Sequence, residues 1–166
     1  TSIGIALTGA YTGAGSLTAG TTIAISGGTG IAPTANFQAG GNIAISGSGQ
    51  GYFNGVRVNS TSGSISLTSG PYAGHAVQIQ NSTFSTTTSP ITISGTGTAG
   101  EGVYILSSST VSTTTGNITI NGVGSDWGVY LTAADIISSS GAIKIDGGAR
   151  GIVDGNGATT NFGAVP

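Results

Sequence analysis

An apolar-x-apolar triplet recurs along the whole chain, and its period restricts the folds that the chain can adopt. Successive triplets are separated by 20, 20, 22, 26, 27 and 25 residues, and they begin at Ile3, Ile23, Ile43, Ile65, Ile91, Ile118 and Ile143. A unit of this length cannot bury its apolar face alone, so such repeats bury it against their neighbours. The period therefore predicts stacked coils that present the same inward residues to one another.

Further short apolar segments follow most triplets. A second segment occurs in "GVRV" (55–58), "HAVQI" (75–79), "GVYIL" (102–106), "GVYL" (128–131) and "GIV" (151–153). A third segment, just before the next triplet, contains Leu17, Phe37, Phe84, Val111 and Ile136. Alternation within the segments is typical of strands, and the Gly-rich stretches between them are typical of turns.

These patterns predict an all-β fold, a single-stranded parallel β-helix (a solenoid) of about seven coils of 20–27 residues. It forms one domain over residues 1–166. An antiparallel sandwich also has short strands at regular spacing. The return of the same triplet at the same place in each unit favours the solenoid.

Composition excludes several classes of function. Charged residues make up 5 % of the chain, against roughly 25 % in an ordinary soluble domain. Three basic residues are too few to neutralise a nucleic-acid backbone, so we expect no nucleic-acid partner. No apolar run is long enough for a membrane span. The chain lacks Cys, which excludes disulfides, and it lacks Met, which predicts a processed or excised piece.

The scarce charged and aromatic residues gather when the second segments are aligned on Val56, Val77, Val103, Val129 and Ile152. Two places earlier stand Asn54, His75, Glu101, Trp127 and Arg150. One place later stand Arg57, Gln78, Tyr104, Tyr130 and Val153. With the coils in register, we expect the Glu101, Trp127 and Arg150 side chains to be neighbours. We also expect Tyr104 to stack on Tyr130.

Aromatic faces beside a carboxylate and a guanidinium suit a sugar, because the rings cover its apolar face and the polar groups bind its hydroxyls. The candidate surface or glycan contacts are therefore Glu101, Tyr104, Trp127, Tyr130 and Arg150. The alternative is that the tyrosines form a stabilising ladder and the charges only solubilise a corner of the coil.

We expect no catalytic residue, no cofactor and no metal. The "GTGTAG" at 95–100 fits a dinucleotide-binding pattern, but a strand follows it where that pattern requires a helix. His75 is the only histidine, which argues against a metal site. A polysaccharide-degrading enzyme remains an alternative, with Glu101 and Asp126, or Asp146 and Asp154, as its pair of carboxylates.

The units "GNIAISGSG", "SPITISGTG", "GNITINGVG" and "GAIKIDGGA", with "GVYL" and "IISSSG" between them, resemble the repeats of filamentous haemagglutinin-like exoproteins. These are adhesins of two-partner secretion, and autotransporter passengers are similar. The resemblance covers essentially all 166 residues. It implies a right-handed β-helix, export across a bacterial outer membrane, an extracellular location at the bacterial surface, and adhesion. The family's secretion domain has no counterpart here, so we expect a slice of a shaft or a fibre subunit.

The predicted function is accordingly an extracellular structural or adhesive solenoid of a bacterial adhesin or fibre, and not an enzyme. The alternative is a carbohydrate-binding or polysaccharide-degrading β-helix protein. Exposed strand edges recruit further strands. The expected partners are therefore another copy, through end-to-end β-stacking, or neighbouring coils of a longer chain, together with glycans or proteins of a host or neighbouring cell.

Overall fold

The computed structural model describes residues 5–8, 14–28, 30–155 and 161–163, and its strands form a parallel β-solenoid. The strands in chain order are β1 (Ile5–Thr8), β2 (Ala14–Ala19), β3 (Ile23–Gly27), β4 (Gly30–Ile31), β5 (Thr34–Ala39), β6 (Ile43–Gly47), β7 (Gln50–Asn54), β8 (Arg57–Ser60), β9 (Ile65–Tyr72), β10 (Val77–Gln80), β11 (Thr83–Thr86), β12 (Ile91–Gly97), β13 (Val103–Thr113), β14 (Ile118–Val123), β15 (Val129–Ser138), β16 (Ile143–Asp146), β17 (Ile152–Asp154) and β18 (Asn161–Gly163). A single 3-10 turn, Gly148–Arg150, is the only helical element in the described part of the chain. None of the described residues belongs to a helix with the length and apolar character needed to cross a membrane.

The first strand of each coil belongs to one seven-stranded sheet, ordered β1-β3-β6-β9-β12-β14-β16. The predicted triplet column is confirmed from β3 to β16, where every neighbouring pair is parallel and in register. Five consecutive isoleucines in this column have 0 % exposure: Ile23, Ile43, Ile65, Ile91 and Ile118. The inward faces of the triplets therefore form the continuous core that the period predicted.

The second and third strands of each coil form two further ladders. The second-strand ladder contains β4, β7, β10 and β17 with the first parts of β13 and β15. The third-strand ladder contains β2, β5, β8, β11 and β18 with the second parts of β13 and β15. Positive φ angles at Ser107 (54°), Ser108 (57°) and Ala133 (51°) let β13 and β15 continue from one ladder into the other.

The number of coils and the register of the first strand differ from the prediction. Five coils, from β3 to β15, contain all three strands, and the first and last are only partly described, so the solenoid has about five turns and not seven. Ile5, and not Ile3, pairs with Ile23, and Ile3 itself lies outside the described residues. Ile3, Ile5 and Leu7 alternate with small or polar residues in the sequence, so the apolar pattern fits either register.

The segment "GVRV" is a third strand and not the second strand that we expected. Val58 pairs with Phe37 on one side and with Phe84 on the other. The second strand of that coil is β7, in which Phe53 is fully buried. Gly55, with φ of 69°, makes the turn between β7 and β8.

This change of register alters the predicted columns at one end. Tyr52 is the register neighbour of Gln78, so Asn54 and Arg57 do not belong to the columns of Glu101 and Tyr104. Phe53 is the only large apolar residue of β7 that points inward, because Gly51 occupies the other inward place. The alternation in this strand was therefore too weak to recognise.

Buried hydroxyl groups close the corner between the third strand of one coil and the first strand of the next. Ser60, Thr86, Thr113 and Ser138 are in register and buried. Three of these oxygens accept the backbone N–H three residues later, at 2.9–3.1 Å, with Gly63, Gly116 and Gly141 as donors. Each hydroxyl also donates to a nearby carbonyl oxygen. The polar groups of this corner are therefore paired within the chain.

We expect Thr113→Val to lower the free energy of unfolding by about 1–3 kcal/mol, because it leaves the buried Gly116 N–H without its acceptor. Thr114→Val is the matched control, since Thr114 is adjacent and exposed, and it should change stability by less than about 0.5 kcal/mol. Urea unfolding followed by circular dichroism measures both. Equal midpoints for the two variants would contradict a structural role for the hydroxyl.

Candidate functional site

Glycines pinch the base of the loop between the first and second strands in the last three coils. Space for a side chain is lacking at Gly95, Gly122 and Gly147, because a Cβ there would overlap the backbone carbonyl of Gly102, Gly128 and Gly151, respectively. Such close approach of two backbone segments requires glycine. The loop residues between each pair of glycines must therefore project away from the core.

The three predicted contact residues stand at the same place in these loops. Glu101, Trp127 and Arg150 each come one residue before the glycine that closes the loop. They line one open concavity of about 620 Å³ together with Ser125, Asp126 and Ala149. The Trp127 side chain is 42 % exposed. The structure thus brings these three residues together, as the alignment of the coils predicted.

His75 provides a partner for one of the carboxylates. Its Nδ1 atom lies against Glu101 Oε2 across neighbouring coils. The Glu101 side chain is only 12 % exposed, and no other hydrogen-bond partner of these two atoms occurs among the described residues. Asp126 and Arg150 are both exposed and form no ion pair within the described part of the chain. The charges available to a ligand are therefore those of Asp126 and Arg150.

Aromatic rings continue from this corner along the second-strand ladder. Tyr104 and Tyr130 are register neighbours, and their ring centroids are 5.1 Å apart with an interplanar angle of 78°. This is an edge-to-face pair, and not the stack that we predicted. Edge-to-face geometry brings the positive edge of one ring to the negative face of the other. His75 makes a similar contact with Tyr104, at 5.0 Å and 61°.

The ionisation of Tyr104 responds to this environment. Burial raises its pKa above the usual 10.0, and the nearby Tyr130 and Glu101 raise it further because a tyrosinate would add negative charge beside them. The hydroxyl of Tyr104 therefore loses its proton at a higher pH than a solvated tyrosine does, because its pKa is raised.

Sequence reasoning missed part of this site. The contributions of Ser125 and Ala149 carry no signal in the sequence, because both are common in the loops. The pairing of His75 with Glu101 had a signal, since the two residues occupy the same column one coil apart. A different concavity, of about 410 Å³, is lined only by Ser26, Gly27, Gly28, Ser46, Gly47, Ser48, Thr68 and Gly70. It offers a ligand neither a charge nor an aromatic ring.

The described residues were also searched for metal sites, and the chain was compared with known proteins. No group of three or more His, Cys, Asp or Glu side chains with the geometry of a metal site occurs within the described ranges. Comparisons of the chain with protein-family models, with curated proteins and with solved structures gave no match. The β-solenoid is compatible with a structural or adhesive repeat protein.

We expect Gly122→Ala to lower stability by more than about 1 kcal/mol and to displace the Trp127 loop, because the methyl group would overlap the Gly128 carbonyl. Gly28→Ala is the control, since Gly28 has open space around its Cβ position and no positive φ. Thermal unfolding and Trp127 fluorescence measure the two effects. The pinch would have no structural role if both variants melted and fluoresced like the unaltered chain.

Proposed function

We propose that this chain is an extracellular structural and adhesive solenoid of a bacterial surface, which binds glycans at the corner concavity without catalysing their cleavage. One observation carries the proposal: consecutive coils place the exposed Trp127 ring beside the charged groups of Asp126 and Arg150. The resemblance of the repeats to filamentous haemagglutinin-like exoproteins supports the extracellular location.

The chemistry of the concavity suits a sugar ring. An indole ring can cover the apolar face of a pyranose, while charged and hydroxyl groups at its edge bind the sugar hydroxyls. Trp127 supplies the ring, and Ser125, Asp126 and Arg150 supply the polar groups.

Exposed apolar side chains are concentrated at the same end of the solenoid. Val123 is 59 % exposed, Trp127 is 42 % exposed and Ile152 is 48 % exposed, and these are the large hydrophobic residues that stand out on the described surface. All three belong to the last two coils. Of the three, Trp127 is the one that lines the corner concavity.

We expect Trp127→Ala to weaken glycan binding at least 10-fold, about 1.4 kcal/mol, because it removes the aromatic platform. A glycan array identifies the ligand, and calorimetry measures its affinity for each variant. Val123→Ala is the matched control, because it shortens an exposed apolar side chain on the neighbouring strand outside the lining of the concavity.

Two results would contradict the glycan proposal. One is the absence of binding to every glycan tested with correctly folded protein. The other is an equal loss of affinity in the Trp127 and Val123 variants, since it would place the ligand elsewhere. Release of shortened glycan from the incubated complex would instead favour the polysaccharide-degrading alternative.

We further propose that coils continue beyond β16, through a second copy or through neighbouring coils of a longer chain. Ile143 and Ile145 are only partly buried, whereas their register neighbours Ile118 and Ile120 have 0 % exposure. Ile152 is 48 % exposed, although its neighbour Val129 is fully buried. A further coil would cover these inward side chains as each internal coil covers the one beside it.

We expect the mass of the isolated chain to rise with concentration in sedimentation, with lengthening fibres in electron micrographs. Ile145→Glu should shift the chain towards the monomer, because a carboxylate would have to be buried at the junction. Lys144→Glu is the matched control, because Lys144 is the outward neighbour in the same strand, and it should retain association. A constant monomer mass at every concentration would exclude stacking between copies.

A further inference from the structure

A second concavity lies on the third-strand ladder, near the start of the described chain. This trough, of about 230 Å³, is lined by Ser16, Thr18, Asn36, Phe37, Gln38, Arg57 and Asn59. Phe37 forms its floor and is 1 % exposed, whereas the other lining residues are exposed or half-buried. It shares no residue with the corner concavity, so the two can bind ligands independently.

The polar side chains of the trough form two ranks parallel to the solenoid axis. Thr18, Gln38 and Asn59 are register neighbours in β2, β5 and β8 and form the first rank. Ser16 pairs with Asn36, and the Asn36 Oδ1 atom accepts the Arg57 N–H at 2.7 Å, which extends the second rank to Arg57. Parallel strands repeat about every 4.8 Å. The trough thus repeats hydrogen-bonding groups at that spacing over three coils.

Arg57 is isolated among uncharged residues. It is the only Lys, Arg, Asp or Glu in residues 1–100, because the five acidic residues are Glu101, Asp126, Asp135, Asp146 and Asp154. Its guanidinium has neither an ion pair nor a hydrogen bond within the described part of the chain. In its own rank, Arg57 is followed by Thr83, Thr110 and Asp135.

The nearest carboxylate in that rank is therefore three strands away. Three strand spacings are about 14 Å, which exceeds the Debye length of about 8 Å at physiological salt. The positive charge in the trough is thus not neutralised by the protein itself. An anion entering the trough would meet a guanidinium, amides and hydroxyls, and no carboxylate to repel it.

We propose that the trough binds the anionic group, a carboxylate or a sulfate, of an extended acidic saccharide lying along the axis. The planar guanidinium of Arg57 donates two parallel hydrogen bonds to such a group. Asn36, Gln38 and Thr18 bind hydroxyl groups on the adjacent sugar units. The axial repeat of the two ranks favours an extended chain over a compact ligand.

The test measures fluorescence anisotropy with three labelled oligosaccharides of equal length: one sulfated, one built of uronic acids and one neutral. Arg57→Gln should weaken binding of the preferred acidic oligosaccharide at least 10-fold. Arg57→Lys should weaken it less, because Lys keeps the positive charge but cannot donate two parallel hydrogen bonds. Lys144→Gln is the matched control, because Lys144 is also an exposed cation and lines neither concavity, and Arg150→Gln tests the corner concavity. Circular dichroism confirms that each variant is folded.

The three oligosaccharides identify the anion, and the variants identify the site. Tighter binding of the sulfated or of the uronic-acid oligosaccharide, lost in Arg57→Gln and retained in Lys144→Gln, supports the proposal and names the group. Equal affinity for the neutral oligosaccharide overturns it. Loss of acidic binding in Arg150→Gln and Trp127→Ala, but not in Arg57→Gln, also overturns it and assigns the ligand to the corner concavity.

Discussion

In-register pairing of parallel strands is the constraint on which the rest of this structure depends. The side chains of a strand alternate between its two faces, so every coil must return with its triplet in the same phase. Inward isoleucines at Ile65, Ile91 and Ile118 meet that requirement with 0 % exposure. The register separation between first strands nevertheless grows from 18 residues (Ile5 to Ile23) to 27 (Ile91 to Ile118). The extra residues of the longer coils are accommodated in the loops at the corners. The candidate site is formed by these loops of variable length.

Glycines and hydroxyl groups, and not charged side chains, form the turns at the corners of the coils. Close approach at Gly122 and Gly128 folds a loop back on itself, and buried oxygens such as Thr113 Oγ1 bind the backbone where the chain turns. These devices satisfy buried polar groups without ionised side chains, whose burial costs more. A chain with 5 % charged residues can therefore pair the buried polar groups of these corners.

The period of the triplets was sufficient to predict the solenoid and the main core column, because in-register pairing determines the residue spacing between successive triplets. The position of the first coil was not predictable from Ile3, Ile5 and Leu7, since the apolar pattern of the sequence fits two registers equally well. The third coil was misassigned because β7 presents Gly51 and Phe53 inward, a pair that has little apolar signal.

The candidate site shows the same division between what spacing reveals and what it does not. The column of Glu101, Trp127 and Arg150 followed from register alone. The pinch glycines could not be recognised among 32 glycines, and the trough around Arg57 was hidden by the misassigned strand. Whether these surfaces bind glycans depends on side-chain geometry and on ligand chemistry, which spacing does not encode.

The short sequence separation between paired strands also bears on how the chain folds. Neighbouring first strands are 18 to 27 residues apart at every level, so an added coil introduces no contact of longer range. The loop-closure entropy of each step is therefore similar, and relative contact order falls as the stack lengthens. In a stack of this kind, folding can start at any pair of adjacent coils and propagate to the coils on either side.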